Sequence, residues 1–390
     1  MMESSWSWLP DLVLESILTR LNPLSGDYFR FGAVCKEWYK ITKENKSLIH
    51  SATQIPLLMI PSINKVKSRR SFYDLTNSGR YDSLHSLVPY TIKACGSSYG
   101  WLIFLEKTMQ IGLYNPFVKH SRKNRADIGV IKLPPVMSTP NAIPYEYSVY
   151  KVVILFGNPS LTQDYVVAAI YSATNSLAIW KASSRVEKKW IYLKDVREDL
   201  VDKSYTDVME YKGLIYAVSA SRGIISIDPF SRTGNNGLVV KEIIGWPFIF
   251  RTPTYLAESS KAKLFIIRRI KELGDYYWHN NLKFEVYKLK DDFENSTEME
   301  QVDSLDGDAI FVGDGKSICI AASDFRNCKP NTVYFTDDGF MLPTRYGEVH
   351  WGPRDTGVFS LEDDSIKPHY PYDDSTQKFL PPAIWVTPMF

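Results

Sequence analysis

The sequence predicts a small all-α N-terminal domain followed by an all-β domain, most simply a degenerate β-propeller of about six blades. Three observations support this fold class. Apolar residues recur at helical spacing near the N-terminus, and short apolar strands separated by Gly, Asn, Asp and Pro fill the remainder. These strands recur at intervals of about fifty residues, which is typical of propeller blades. The predicted domains are residues 1–50 and 51–390.

The N-terminal domain is predicted to contain two helices. The first begins near Asp11, a residue type that caps helices, and ends before Asn22-Pro23, because proline disfavours a helical conformation in the residue before it. The second is predicted over Asp27 to Ile41. Because isolated helices of this length are marginal in water, the two must pack against each other and against something larger.

The all-β domain contains strand patterns such as Gly100 to Leu105, Tyr165 to Tyr171 and Ile224 to Asp228. No region alternates strands with long helices, so a parallel α/β sheet is disfavoured. Repeat anchors lie at Gly100-Trp101-Leu102, Val152-Val153-Ile154, Gly213-Leu214-Ile215, Ala262-Lys263-Leu264 and Lys316-Ser317-Ile318. The architecture is expected to be kelch-like, although the kelch Gly-Gly doublet is missing. The early strand Gln54 to Ile60 is predicted to pair with C-terminal strands and close the ring, which removes exposed sheet edges.

Composition excludes several classes of function. The 390 residues carry 46 Lys and Arg against 44 Asp and Glu, a net charge of +2, which disfavours a nucleic-acid binder. No apolar stretch is long enough to cross a membrane, and the N-terminus has no secretory signal pattern. Four cysteines form no disulfide framework. We therefore expect a soluble intracellular protein, cytoplasmic or nuclear or both. The basic run from Lys65 to Arg70 resembles a nuclear import signal, but a solvated turn is the favoured interpretation.

Catalytic and metal-binding motifs are missing from the sequence. The six histidines lie singly, and no nucleophile elbow or phosphate-binding loop is present. Acidic pairs such as Asp291-Asp292 and Asp337-Asp338, and the runs Asp306-Gly-Asp308 and Gly313-Asp314-Gly315, are typical of turns. We therefore expect no catalytic residues, no metal site and no cofactor.

The N-terminal motif resembles an F-box. The resemblance rests on Trp8-Leu9-Pro10, the Ile17-Leu18-x-x-Leu21 centre and the Val34-Cys35-Lys36-x-Trp38 close. It implies that the domain docks onto a Skp-family adaptor and thereby onto a cullin–RING ubiquitin ligase. The adaptor-binding residues that the resemblance implies are Leu9, Pro10, Leu12, Ile17, Leu18, Leu21, Val34 and Trp38, with Leu18, Leu21 and Trp38 as the expected anchors. Some of them, Ile17 and Val34 above all, have the alternative role of holding the helices together.

The remainder resembles the KIB-like group of plant F-box proteins. Motifs that carry this resemblance include Tyr114-Asn-Pro116-Phe117, Tyr211-Lys-Gly213-Leu-Ile-Tyr216 and Pro381-Pro382-Ala-Ile-Trp385. The resemblance implies a non-catalytic substrate-recognition subunit whose β-domain binds an unidentified target protein. Loop aromatics are the candidate target-binding residues, with packing between blades as their alternative role: Tyr276, Tyr277, Trp278 and Trp351.

Two other functions stay open on the sequence. One is an F-box interaction protein that acts without ubiquitin ligation, and it shares the predicted fold. The other is a propeller enzyme, which requires acidic residues to converge on the channel axis with a histidine or a metal ion. The ligase subunit is the favoured interpretation because the F-box motif is the most specific signal in the chain.

Overall fold

The computed structural model of the chain describes residues 9–18, 31–45, 55–61, 70–75, 79–81, 92–115, 130–137, 148–155, 165–172, 174–182, 189–200, 204–220, 223–231, 237–245, 252–273, 279–290, 298–325, 327–336, 356–369 and 383–387. Within these ranges two α-helices, α1 (Asp11–Leu18) and α2 (Lys36–Glu44), precede 25 β-strands. The strands form six sheets. The predicted order of a small helical region and an all-β propeller is confirmed.

The first helix begins one residue earlier than a cap at Asp11 would require. The carbonyl of Pro10 accepts hydrogen bonds from the backbone N–H groups of Val13 and Leu14, at 2.9 and 3.1 Å. Asp11 therefore lies in the first turn of α1, where its negative charge interacts favourably with the positive end of the helix dipole and stabilises the helix.

The prediction of one helix from Asp27 to Ile41 is wrong in its described part. The chain leaves helical geometry after Gly32, and Cys35 is fully extended with φ −158° before α2 begins at Lys36. Gly32 is a weak helix former, and a Cβ atom there would lie 3.2 Å from the Thr42 hydroxyl. The turn is thus packed closely against α2.

In the described residues five of the six blades have four strands, and the strands of each blade are given below in their spatial order. Blade 1 contains β25 (Ile384–Val386), β1 (Leu57–Pro61), β2 (Arg70–Asp74) and β3 (Gly79–Tyr81). Blade 2 contains β4 (Ala94–Ser98), β5 (Trp101–Leu105), β6 (Ile111–Tyr114) and β7 (Val130–Lys132). Blade 3 contains β8 (Val149–Leu155), β9 (Val166–Tyr171), β10 (Ser176–Lys181) and β11 (Ile191–Tyr192). Blade 4 contains β12 (Tyr205–Tyr211), β13 (Leu214–Ser219), β14 (Gly223–Asp228) and β15 (Val239–Gly245). Blade 5 contains β16 (Thr254–Glu258), β17 (Leu264–Leu273), β18 (His279–Leu289) and β19 (Met299–Val302).

Blade 6 has five described strands, and their spatial order differs from that of the other blades. It contains β21 (Ile318–Ala321), β20 (Asp308–Val312), β22 (Thr332–Phe335), β23 (Gly357–Ser360) and β24 (Ile366–Lys367). The first strand along the chain, β20, lies second in the sheet, and β21 folds back to take the end position beside it. The next strand, β22, therefore pairs with β20 in parallel. The hairpin between β20 and β21 consequently belongs to the inner end of the blade.

The ring closes as the sequence predicts. The N-terminal strand β1 pairs antiparallel with the C-terminal strand β25, with Leu58 opposite Trp385. The Trp385 indole also donates a hydrogen bond to the Val312 carbonyl of blade 6, at 3.1 Å. Closure therefore joins both ends of the β-domain in one blade and pairs strand edges that would otherwise be exposed.

Apolar side chains pack between every pair of neighbouring blades. Among the described residues six hydrophobic clusters separate consecutive blades around the ring. Strand β9 shows the reason. Val167, Ala169 and Tyr171 face blade 2, whereas the intervening Val166, Ala168 and Ile170 face blade 4. Because successive side chains point to opposite faces and both faces are buried, the strand is a continuous apolar run.

Blades 2, 3 and 4 repeat with a regular period that is slightly longer than the predicted interval of about fifty residues, whereas hydrogen bonds between blades 4 and 5 join residues 48 to 51 positions apart. Hydrogen bonds join residues 56 positions apart: Lys93 with Val149, Ser98 with Ile154, and Lys151 with Asp207. The predicted repeat anchors do not all lie on equivalent strands of their blades. The anchor Val152 to Ile154 lies on β8, the first strand of blade 3, whereas the anchor Gly100 to Leu102 lies at the start of β5, the second strand of blade 2.

Candidate functional site

The first candidate site is the helical region. A small core of five buried residues joins α1, α2 and the turn before α2: Leu14, Leu18, Phe31, Trp38 and Ile41. The rings of Phe31 and Trp38 pack with centroids 4.3 Å apart. An amide of Asn45 donates to the Glu15 carboxylate at 3.1 Å and ties the end of α2 to α1. This core leaves several apolar side chains uncovered.

Large apolar side chains are exposed on both sides of this core. Leu12 is 78% exposed and Val13 41% on α1, while Val34 is 55% and Tyr39 59% exposed at and after the turn. The helical spacing explains the first pair, because the buried Leu14 and Leu18 are four residues apart on one face of α1 and Leu12 and Val13 lie off that face. Exposed apolar groups in such a small unit are typical of a surface that binds another protein.

The predicted adaptor-binding residues fall into distinct environments. Pro10, Leu12 and Val34 are exposed, and Leu9 and Ile17 are half-buried against the helical core. Leu18 and Trp38 belong to that core, and Leu21 lies outside the described residues. Val13 and Tyr39 are exposed apolar residues that the sequence prediction missed. The exposure of Val13 could have been predicted, because Val13 lies next to Leu14 and therefore off the face of α1 that Leu14 and Leu18 bury.

The second candidate site is the central channel, where the hairpin between β20 and β21 lies. Its residues 313–317 reach the inner strands of other blades. The Cα of Gly96 and the backbone N of Ser97 in blade 2, with the Trp385 carbonyl in blade 1, lie 3.5 to 4.0 Å from the Cβ position of Gly315. The Ser317 hydroxyl donates to the Asp207 carboxylate in blade 4 at 2.8 Å. The hairpin therefore lies between the inner strands of blades 1, 2 and 4, and Asp314 within it is fully buried.

A buried ion pair anchors this hairpin. The Lys151 ammonium lies 2.9 Å from the Asp207 carboxylate, and both side chains are buried. Strand β8 has a bulge between Val149 and Lys151, and β12 has one between Tyr205 and Asp207. Bulges re-aim side chains, which explains how two charged groups in apolar strands meet.

Every lone-pair direction of the Asp207 carboxylate is occupied. One oxygen accepts from the Lys151 ammonium and from the backbone N–H of Val208, at 2.9 and 2.8 Å. The other accepts from the backbone N–H of Leu256 and from the Ser317 hydroxyl, at 2.9 and 2.8 Å. A carboxylate with four donors serves as a structural anchor and has no free lone pair for acid–base chemistry.

The mouth of the channel carries a different charge arrangement. The Lys316 ammonium lies 5.2 Å from the centroid of the Tyr99 ring, a cation–π contact. Glu210 and Glu258 lie near the ends of the inner strands β12 and β16, close enough to raise the pKa of Lys316. Burial acts in the opposite direction and outweighs them, so the Lys316 pKa lies below its usual range. This end of the channel thus combines a cation, an aromatic ring and two carboxylates.

Two of the described cysteine thiols are poor nucleophiles because they are buried. Burial raises the pKa of the Cys95 thiol to about 12 and that of Cys328 to about 11. No group of three or more His, Cys, Asp or Glu side chains within the described ranges is placed to hold a metal ion. No described helix is long and apolar enough to span a membrane.

Some sequence predictions fall outside the described residues. The aromatic candidates Tyr276, Tyr277, Trp278 and Trp351 do so, as do Asp291-Asp292 and Asp337-Asp338. In the basic run Lys65 to Arg70, only Arg70 is described. It is buried and donates to the Ile92 carbonyl, so the prediction of a solvated turn is wrong for this residue. Asp314 lies in the turn between β20 and β21, as predicted, and its side chain is buried in the channel.

Comparison with known protein families agrees with this architecture. The F-box domain model matches residues 6–50. The KIB1-4 β-propeller model matches residues 72–360, which is more than half of the chain. The chain therefore belongs to the KIB1-4 β-propeller family and carries an N-terminal F-box domain.

Individual relatives match this chain along most of their length. The putative F-box protein At1g65770 of Arabidopsis thaliana is 24% identical over 97% of this chain and 99% of its own length. At2g26160, an F-box protein of the same plant, is 23% identical over 87% and 97%. Among solved structures, the Aleuria aurantia lectin with a bound fucoside aligns at 11% identity and a TM-score of 0.31, covering 87% of this chain and 97% of the lectin. A similarity this low says nothing about what this chain binds.

Proposed function

We propose that this chain is the substrate-recognition subunit of an SCF-type cullin–RING ubiquitin ligase. Its F-box would bind a Skp-family adaptor, and its propeller would bind the target protein. The observation that carries the proposal is the F-box match over residues 6–50, on a helical unit whose apolar side chains stay exposed. The proposed domains are residues 1–50 for the F-box and 51–390 for the propeller.

The proposed adaptor contact divides the predicted residues by their burial. Pro10, Leu12 and Val34 would touch the adaptor, together with Val13 and Tyr39, because their apolar surfaces are uncovered. Leu18 and Trp38 would act by holding the helices in place, since their side chains are already covered. Leu9, Ile17 and Leu21 stay predictions as adaptor contacts. In interfaces of this kind a few buried anchors carry most of the affinity, each about 2–4 kcal/mol on truncation.

The proposed mechanism is positioning without bond-making by this chain. Tethering a target to the ligase raises its effective concentration near the ubiquitin carrier. A non-catalytic role is supported by the channel, where the buried Asp207 carboxylate has four hydrogen-bond donors and the thiol pKa of Cys95 is raised. A propeller enzyme would require acidic residues that converge with a histidine or a metal ion, and no group of three or more His, Cys, Asp or Glu side chains in the described ranges is placed to hold a metal ion. The proposed compartment is the cytoplasm, the nucleus or both.

The alternative is an F-box interaction protein that binds the adaptor without joining a ligase. Co-purification of the full chain with a Skp-family adaptor and a cullin separates the two. If adaptor and cullin both co-purify, the ligase role stands. Adaptor without cullin supports the alternative, and binding of neither overturns the proposal.

A further inference from the structure

The channel mouth defined by Tyr99, Glu210, Glu258 and Lys316 has charges that the described part of the protein leaves unsatisfied. Lys316 is only partly accessible, and its ammonium has no hydrogen-bond acceptor among the described residues. It lies against the Tyr99 ring, 5.2 Å from the ring centroid. Burying a charge without a hydrogen-bonding partner costs free energy. A ligand group that accepts a hydrogen bond from this ammonium would offset that cost.

The neighbouring carboxylates lie too far away to pair with Lys316. Neither Glu210 nor Glu258 comes within the 4.0 Å of a salt bridge to it, although both raise its pKa. Glu210 is half-buried in β12 and Glu258 is exposed at the end of β16. Neither side chain has a hydrogen-bond partner in the described part of the chain. The mouth therefore presents one central positive charge with two negative charges beside it.

The hairpin of residues 313–317 fixes this arrangement. Ser317 is held by the Asp207 carboxylate at 2.8 Å, and that carboxylate is itself held by the Lys151 ammonium at 2.9 Å. Because the residue next to Lys316 is tied to a buried ion pair, the Lys316 backbone is pre-organised. A ligand that binds there therefore loses little free energy in ordering the site.

We propose that this mouth is the target-recognition site and that it binds an extended peptide segment carrying a carboxylate next to a basic side chain. The carboxylate would accept hydrogen bonds from Lys316 above the Tyr99 ring, and the basic side chain would pair with Glu210 or Glu258. The two glutamates disfavour a doubly charged phosphate at the same place, because like charges repel in a partly desolvated site. This inference rests on the proposed role as a substrate receptor and adds the chemistry of its target.

The test uses the full chain, expressed together with a Skp-family adaptor and purified through a tag on the chain, and a library of random hexapeptides. Each peptide is made with a free and with an amidated C-terminus, so that a terminal carboxylate is distinguished from an Asp or Glu side chain. The expected result is enrichment of peptides in which a carboxylate adjoins Lys or Arg. The best peptide is then measured by fluorescence anisotropy against variants.

Lys316→Met is expected to lower the affinity for that peptide by at least about tenfold, since it removes the positive charge that pairs with the peptide carboxylate. Lys316→Arg keeps the charge and is expected to retain binding within about threefold. The double variant Glu210→Gln, Glu258→Gln is expected to lose the preference for a basic neighbour while it still requires the carboxylate. Lys290→Met, which removes a partly exposed charge at the end of β18, is the matched control and should bind as wild type does.

Three outcomes would overturn the inference: no enriched peptide, enriched peptides without a carboxylate, or equal binding by wild type and a folded Lys316→Met variant. A folded state is checked by thermal unfolding of each variant. Adaptor retention in the same preparations reports on the proposed function separately. A preparation that keeps the adaptor and binds no peptide rejects the recognition site alone, whereas loss of the adaptor rejects the receptor role.

Discussion

The helical unit and the propeller differ in how far they bury their apolar side chains. The propeller buries its strands on both faces between neighbouring blades and closes its ring through β1 and β25. The described part of the helical unit has a core of five residues and leaves Leu12, Val34 and Tyr39 more than half exposed. A domain that completes its own core is stable alone, whereas one with surplus apolar surface is completed by a partner. Substitutions in the two regions should therefore have different effects.

The largest expected effect on stability is at the ring closure. Trp385→Ala removes a buried side chain that packs edge-on to Phe311 at 5.0 Å and bonds the Val312 carbonyl. We expect a loss of about 3–5 kcal/mol in the free energy of unfolding, measured by denaturant titration. The control is Phe230→Ala at an exposed aromatic residue, which should change stability by less than about 0.5 kcal/mol. Equal effects of the two variants would contradict the closure.

The next effect is at the channel anchor. Asp207→Asn removes the negative charge that pairs with Lys151 and leaves a buried ammonium uncompensated. We expect the free energy of unfolding to fall by about 3 kcal/mol. This is the lower end of the effect of breaking a buried ion pair, because the amide oxygen still accepts some of the hydrogen bonds. Asp306→Asn, which breaks the surface pair with Lys263, is the matched control and should leave the unfolding midpoint unchanged. A stable Asp207→Asn variant would mean that the hairpin does not depend on this ion pair.

A smaller effect is expected from pH. The His369 imidazole donates a hydrogen bond from its Nε2 atom to the Phe335 carbonyl, packs on the Trp385 ring, and has its Nδ1 atom shut off from solvent. Burial lowers its pKa from 6.5 to about 4. Because the folded state binds the proton less readily than the unfolded state, stability is unaffected above pH 6.5 and falls as the pH drops towards 4. Between about pH 7 and about pH 5 the loss is about 2 kcal/mol.

The measurement is the unfolding free energy of wild type and His369→Gln at each pH. Carboxylates elsewhere titrate in both proteins, so the difference between the two curves isolates the histidine. We expect the difference to shrink or reverse as the pH falls. Parallel curves across this pH range would rule out a buried neutral His369.

The sequence predicted the propeller well because its strands obey a simple rule. A run such as Val166 to Tyr171 is apolar at every position, which is typical of a strand buried on both faces. The closing strand Gln54 to Ile60 was found for the same reason. The exact 56-residue spacing of blades 2 to 4 was not predicted, because an apolar run does not reveal which of a blade's strands it is.

The strand order of blade 6 and the position of the channel hairpin could not be predicted from the sequence. Placing β21 beside β20 on the inner side changes no apolar pattern, so Gly313-Asp314-Gly315 had the appearance of an ordinary turn. The Lys151 and Asp207 pair did leave a signal, namely a charged residue within each of two apolar strands. In the helical unit the F-box motif identified the region, but only the packing separates the covered Leu18 and Trp38 from the exposed Leu12 and Val34.

The most direct test is adaptor binding by variants of the exposed apolar surface. Leu12→Ser combined with Val34→Ser removes surface that contributes little to the helical core, so the unfolding midpoint should stay within error of wild type. The same variant should lose at least about tenfold in affinity for a Skp-family adaptor, because two contact residues are gone. Lys40→Ser, at an exposed polar position of α2, should bind as wild type does. Unchanged adaptor affinity in a folded Leu12→Ser, Val34→Ser variant would contradict the claim that this surface is completed by the adaptor.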